Sequence, residues 1–232
     1  MKHWRFIFLL IAMALAAGFI PACTFLPESN NLPDVVKGSG NVMTETREVS
    51  GFDTISLQGM GNVIVDQTGS ESLQISADDN FFPYLVTEVR GHTLYLGTSR
   101  EAEGVVFSNV TDLTFHVNAA ALEAIELAGA GSFEVNDLDT ETWQVTVPGA
   151  GSVTVSGRTR EQTVRLDGAS GYTAENLDSN VATIVTNGAG MAVVRVNDEL
   201  DVTVNGLGKV EYIGNPVVKE QINGLGFVSK RP

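Results

Sequence analysis

The stretch Val145-Thr146-Val147-Pro148-Gly149-Ala150-Gly151-Ser152-Val153-Thr154-Val155 decides the reading of this chain. Apolar and polar residues alternate on both sides of a Gly-x-Gly triplet, the pattern of two strands that each bury one face. The triplet recurs at Gly38-Ser39-Gly40, Gly59-Met60-Gly61, Gly129-Ala130-Gly131, Gly188-Ala189-Gly190, Gly206-Leu207-Gly208 and Gly224-Leu225-Gly226. A degenerate copy stands at Gly168-Ala169-Ser170. Steps between first glycines are 21, 70, 20, 19, 20, 18 and 18. A period near 20 is the mark of stacked repeats.

The flanks keep the same register. Two residues before the triplets stand Val36, Leu57, Leu127, Val147, Leu166, Thr186, Val204 and Ile222. Four residues after the first glycine stand Val42, Val63, Phe133, Val153, Tyr172, Ala192, Val210 and Val228. Stacking aligns these positions into apolar columns. At the roughly 4.8 Å spacing of neighbouring strands, the six repeats from Gly129 onward span about 24 Å. The expected fold is therefore all-β, a right-handed parallel β-helix with coils of 18–21 residues. A left-handed hexapeptide helix fits poorly because the step varies. Leucine-rich repeats and a calcium-binding β-roll fail for want of their own motifs.

Glycine inside a strand costs about 0.5–1 kcal/mol relative to alanine. Fifteen of the 24 glycines fall in these triplets, so they belong where the backbone needs positive φ or close approach, at a corner of each coil. Gly59, Gly61, Gly129, Gly131, Gly149, Gly151, Gly188, Gly190, Gly206, Gly208, Gly224 and Gly226 are assigned to that role. Just before three triplets, Asn187, Asn205 and Asn223 recur at steps of 18. Asparagines in register can form an amide ladder, as in other stacked β-structures; three independent turn residues are the alternative. A second, polar turn follows each strand pair, as at Asn136-Asp137, Ser156-Gly157 and Asn197-Asp198.

The step of 70 holds no triplet. Segment 62–128 is read as irregular β-rich coils continuing the same core, with a separate β subdomain as the alternative. Residues 80–86 suit one helical turn, and Arg90-Gly91-His92 suits a hairpin turn.

The N-terminus gives an address. Lys2 and Arg5 precede the apolar run Phe6 to Ile20, too short for a comfortable membrane span. Ile20-Pro21-Ala22-Cys23 follows and holds the single cysteine. A small residue before it resembles a bacterial lipobox, so residues 1–22 are read as a signal peptide and Cys23 as the lipidated residue. Cleavage near Ala22 without lipid, or an uncleaved anchor, are the alternatives. Residues 23–37, polar and proline-containing, read as a tether, and residues 38–232 as the domain.

Composition excludes several classes. The net charge of −14 becomes −16 once Lys2 and Arg5 are removed. This argues against nucleic acid and against adsorption to anionic lipid by charge. One cysteine and three histidines leave no disulfide framework and no cysteine-built zinc site. No metal or cofactor is expected.

Asp78-Asp79, Asp137, Asp139, Glu141, Asp167, Asp178, Asp198-Glu199 and Asp201 are the carboxylates to weigh for glycosidase chemistry or calcium. Stacking alone would bring some of them close, so proximity is uninformative, and most sit where solvated turn charges are expected. His92 and His116 have no nucleophile context, and Trp143 extends the core alternation.

Gly38-Ser39-Gly40-Asn41-Val42, then Val49-Ser50-Gly51-Phe52-Asp53, then Ala77-Asp78-Asp79-Asn80-Phe81-Phe82-Pro83-Tyr84 and the serial Leu-x-Gly-Ala-Gly copies resemble the head GIN domain family of auto-transporter adhesins. The resemblance runs from about Gly38 to the C-terminus. It implies a right-handed, pectin-lyase-like β-helix, often exported or lipidated, with a role in adhesion and no established enzyme activity. Ser170, Leu207 and Leu225 depart from the usual triplet. The expected function is a non-enzymatic cell-envelope lipoprotein on a bacterial membrane, held there only by its N-terminal lipid. It would bind an envelope, cell-surface or glycan ligand and could self-associate. The alternatives are a carbohydrate-active enzyme on the same fold and an end-to-end assembly protein.

Overall fold

The computed structural model describes residues 34–98 and 105–232. The expected signal peptide, Cys23 and most of the expected tether lie outside these residues. The described chain is all-β. It forms an open sheet of 16 strands, and a separate parallel pair made by β1 (Val35–Lys37) and β8 (Val106–Ser108). Residues 35–37, read as the end of a tether, are thus a paired strand.

The repeats pair in parallel, each with the next along the chain. β11 (Ala130–Val147) lies beside β12 (Ala150–Leu166), which lies beside β13 (Ser170–Thr186). Each of these long strands passes through two strand columns. The first column continues through β14 (Met191–Arg195), β16 (Lys209–Ile213) and β18 (Phe227–Lys230). The second continues through β15 (Glu199–Val204) and β17 (Val217–Ile222). Register follows the sequence period: Val145 faces Val164, then Ile184, Val202 and Glu220.

Repeat length varies at the polar turn and not at the glycine corner. Val135 pairs with Val155, but Leu138 pairs with Gly157, so β11 carries one extra residue in a bulge at which Asp137 takes φ 56°. A second bulge between Thr154 and Ser156 adds a residue to β13. These bulges reset the register before the next corner, where Val147 pairs with Leu166 and Gly168 stacks on Gly149.

Corner geometry explains the glycines. A Cβ on Gly149 would fall on the carbonyl oxygen of Gly129, and one on Gly188 would lie 2.7 Å from that of Gly168. Close backbone approach is therefore the requirement at these two positions, neither of which has positive φ.

The 70-residue step is a detour, with the two triplets that flank it in direct contact. β3 (Thr54–Gln58) pairs with β10 (Ala124–Leu127), and β4 (Met60–Gln67) pairs with β11, so Gly61 faces Gly131. The intervening chain builds the far end of the sheet. β7 (Thr93–Thr98) and β9 (Leu113–Ala119) add in parallel to β3 and β4. β5 (Ser72–Asp78), β6 (Leu85–Arg90) and β2 (Val42–Arg47) then pair antiparallel with β9, β7 and β5. The hairpin expected at Arg90-Gly91-His92 is present, and antiparallel pairing extends beyond it, where irregular coils continuing the stack were expected: the terminal layers turn back on themselves. The β6–β7 hairpin turns at Gly91, and a 3-10 turn spans Asp79–Tyr84.

The inward columns are buried, among them Ile55, Val63, Phe115, Phe133, Val153, Ile184 and Val202. Trp143 is fully buried, so it belongs to the core. Beside it runs a polar chain: Tyr172 Oη donates to Gln162 Oε1 (3.0 Å), Gln162 Nε2 donates to Ser179 Oγ (2.7 Å), and Ser179 Oγ donates to the Arg195 carbonyl (2.6 Å). Burial pushes the Tyr172 hydroxyl well above its ordinary pKa, so it stays a donor.

Gly149→Ala is expected to lower stability by about 1–3 kcal/mol, since the new methyl has to displace backbone of the neighbouring coil. Ala150→Ser, at the exposed tip of the same triplet, should stay within about 0.5 kcal/mol of the parent. Urea unfolding followed by circular dichroism measures both.

Candidate functional surface

The glycine corners of successive coils form one edge of the molecule. There Asn187 Nδ2 donates to Asp167 Oδ1, Asn205 Nδ2 to Asn187 Oδ1 (2.7 Å) and Asn223 Nδ2 to Asn205 Oδ1 (2.8 Å). The three asparagines thus form one ladder with Asp167 at its end. The hydrogen bond from Asn187, joined by one from Arg165, holds the Asp167 carboxyl below its usual pKa. Gly59, Gly61, Gly129, Gly131, Gly149, Gly151, Gly188, Gly190, Gly206, Gly208, Gly224 and Gly226 all stand at this edge, each paired with or stacked on its neighbour. Gly38-Ser39-Gly40 stands elsewhere, in a loop held by Asp78, Asp79 and Asn80.

That loop explains the Asp78-Asp79-Asn80 run. Asp78 is buried and accepts the amides of Gly40 (2.7 Å) and Thr111 (2.8 Å). Asp79 accepts Ser39 Oγ (2.6 Å) and Asn41 Nδ2 (2.9 Å). Asn80 accepts the Ser39 amide and donates to the Lys37 carbonyl. Burial works to raise the Asp78 pKa, but its amide donors hold it below the ordinary value. The pair is a clamp that joins three segments, with both carboxylates turned to protein donors.

The remaining carboxylates line the polar turns. Asp139 accepts Arg158 at 2.9 and 2.6 Å, and this hydrogen-bonded guanidinium holds its carboxyl below the usual range. Glu141 accepts Arg160 (3.0 Å), Asp178 accepts Asn197 (3.0 Å), Asp198 accepts Asn180 (2.8 Å), and Glu199 pairs with Lys219. A shallow cleft of about 310 Å³ opens here between Asp139, Glu141, Arg158, Arg160, Asp178 and Asn180. Its walls carry carboxylate, guanidinium, hydroxyl and amide groups. Among the described residues, no three His, Cys, Asp or Glu side chains converge as metal ligands. His92 lies at the β6–β7 turn, 3.6 Å from Asp53, whereas His116 is exposed on β9. The two histidines belong to different strand columns.

Sequence reasoning missed the buried Gln162–Tyr172–Ser179 chain. Its signal was available: Gln162 stands two residues before Val164, at an inward position of the alternation.

With corners, clamp and cleft in place, the chain can be compared with known proteins. Residues 51–216 match the family model described as "putative auto-transporter adhesin, head GIN domain". The chain belongs to this family. Comparison with curated proteins gives no match. Among solved structures, the head GIN domain chain is similar to a protein titled a putative adhesin from Bacteroides fragilis. The TM-score is 0.67 at 20% identity, covering 84% of this chain and 100% of that one. It is also similar to a protein from Parabacteroides distasonis titled a putative lipid binding protein (TM-score 0.52, 20% identity, 86% and 100% covered). At these identities the likeness is one of fold.

The clamp carries a pH signature. Because the Asp78 pKa is depressed in the folded chain, its contribution is complete above about pH 4, the unfolded value, and is lost as pH falls through the lower folded value. Asp78→Asn should be less stable at neutral pH and should show a shallower loss of stability on acidification. Urea midpoints from neutral pH down into the acid limb measure the difference.

Proposed function

We propose that this chain is an exported, non-enzymatic binding module of the bacterial cell envelope, carried on a right-handed parallel β-helix and tethered through a lipid on Cys23. The observation that carries the binding role is the row of outward Asp, Arg, Thr and Asn side chains along the polar turns. Parallel pairing stacks Asp139, Arg158 and Asp178 on successive strands, and the cleft opens beside them at Arg158 and Arg160. Such a row offers many weak, geometrically fixed contacts to a hydroxyl-rich ligand, and a rigid site loses little conformational entropy on binding. Membership of a family described in terms of adhesion supports the same reading. The handedness rests on the strong preference of parallel strand crossovers, right-handed in about 98% of cases. The paired state of Asp139 and Glu141 supports binding over catalysis, since each meets a guanidinium and neither has the apolar setting that raises a catalytic acid.

Two experiments test this reading. On an array of bacterial and host glycans, the full chain should bind a subset, and Arg158→Ala/Arg160→Ala should weaken that binding at least about tenfold with folding retained. Polysaccharide turnover that disappears in Asp139→Asn would replace the binding module with an enzyme. In expressing bacteria, radioactive palmitate should label the chain, and Cys23→Ala should abolish the label. Persistent export without label would leave a plain signal peptide.

A further inference from the structure

Among the described residues, both ends of the sheet present strand edges, the usual template for adding another chain. At the C-terminal end, β17 pairs only with β15 and β18 only with β16 among the described residues. This end is rich in exposed apolar surface: Leu225 is 86% exposed, Phe227 51% and Ile222 40%. Apolar area is therefore not what limits association there.

The terminal strands β17, β18 and β2 each carry charge at inward positions. One column runs through Ile55, Ile125, Val145, Val164, Ile184 and Val202, all buried, and ends at Glu220 on β17. On the opposite face, Ala174, Val194 and Tyr212 lead to Lys230 on β18. At the other end of the sheet, Ile75 and Leu73 on β5 face Glu45 and Arg47 on β2. Arg47 pairs with Glu45 (2.7 Å) and reaches across the end of the core to the Leu85 carbonyl (2.9 Å) and Thr87 Oγ1 (3.2 Å) on β6. Lys230 leans out to Asn215 Oδ1 (2.6 Å), and Glu220 has no partner among the described residues. Each end thus replaces two apolar column positions with one acid and one base.

We propose that Glu45, Arg47, Glu220 and Lys230 are end stops that keep this chain from stacking on a second copy of itself. Continuing the columns head to tail would seat Lys230 on the second copy's Arg47 and Glu220 on its Val89, a like-charge contact and a carboxylate against an apolar side chain. Tail-to-tail pairing of β17 about a two-fold axis keeps inward residues opposite inward residues. In the register centred on Glu220, Val218 lies against Ile222 and Glu220 against Glu220 of the second copy, and like charges directly opposite disfavour the pair. Either arrangement desolvates a charge against a like charge or an apolar side chain.

The test is the mass of the full chain in non-ionic detergent, read by light scattering with the detergent contribution subtracted. Wild type should stay monomeric as concentration rises. Glu220→Val/Lys230→Val removes the stops at one end only, so it should form a closed tail-to-tail dimer with about twofold mass, not a filament. Glu220→Gln/Lys230→Gln keeps the side-chain shapes, covers the case in which the valine variant folds poorly, and should also dimerise. Gln221→Val adds apolar surface to the outward face of the same strand and should remain monomeric. A wild-type dimer, monomeric behaviour of both folded double variants, or dimerisation of Gln221→Val would overturn the proposal.

Discussion

Backbone stacked directly on backbone at the glycine corner is the constraint on which the rest of this molecule depends. The carbonyl oxygen of Gly129 occupies the place where a side chain on Gly149 would begin, and the same relation holds between Gly206 and Gly224. No other residue type brings consecutive coils this close without moving one of them. With the corner fixed, residues on either side of it are held in register, and their alternation delivers one apolar column per inward position. The conformational cost of the glycines is offset by the continuous core that this registry creates.

A repeated core raises a problem of specificity, because a slip by one coil exchanges similar residues. Unique features answer it. The bulges at Asp137 and near Ser156 give neighbouring coils different lengths, and the buried Gln162–Tyr172–Ser179 chain has no equivalent in adjacent coils. A slipped register would leave those polar atoms unpaired in the core, at a cost of about 1–3 kcal/mol each. The antiparallel layers and the Asp78–Asn80 clamp define one end in a similar way, tying the chain before β2 to the loop near Thr111.

Much of this was legible in the residues. Serial triplets, alternating flanks and in-register asparagines placed strands, corners and columns, because each depends on neighbours one coil away at a nearly constant step. Legibility failed where that step broke. Gly38-Ser39-Gly40 has the spacing of a corner but is bound by side chains some 40 residues away. Asp78 and Asp79 look like a solvated acidic pair, yet one is buried and both are saturated with donors. The cleft at Arg158 and Arg160 depends on which residues the bulges set opposite one another, a matter of one-residue offsets.

The sequence by itself determined the local alphabet of this protein: where the chain is extended, where it turns, which face is apolar and why glycine must punctuate it. These are short-range consequences of period-two alternation and backbone sterics. Only the tertiary structure decided the order of the coils. The residues between Gly61 and Gly129 leave the stack, build its far end and return, so that triplets 70 residues apart lie in contact. Strand pairing is non-local, and a period reveals spatial neighbours only where those neighbours are also consecutive in the chain. The same holds for the charges at the two ends: Glu45 and Glu220 look like ordinary strand residues until pairing shows that the columns they terminate are otherwise apolar.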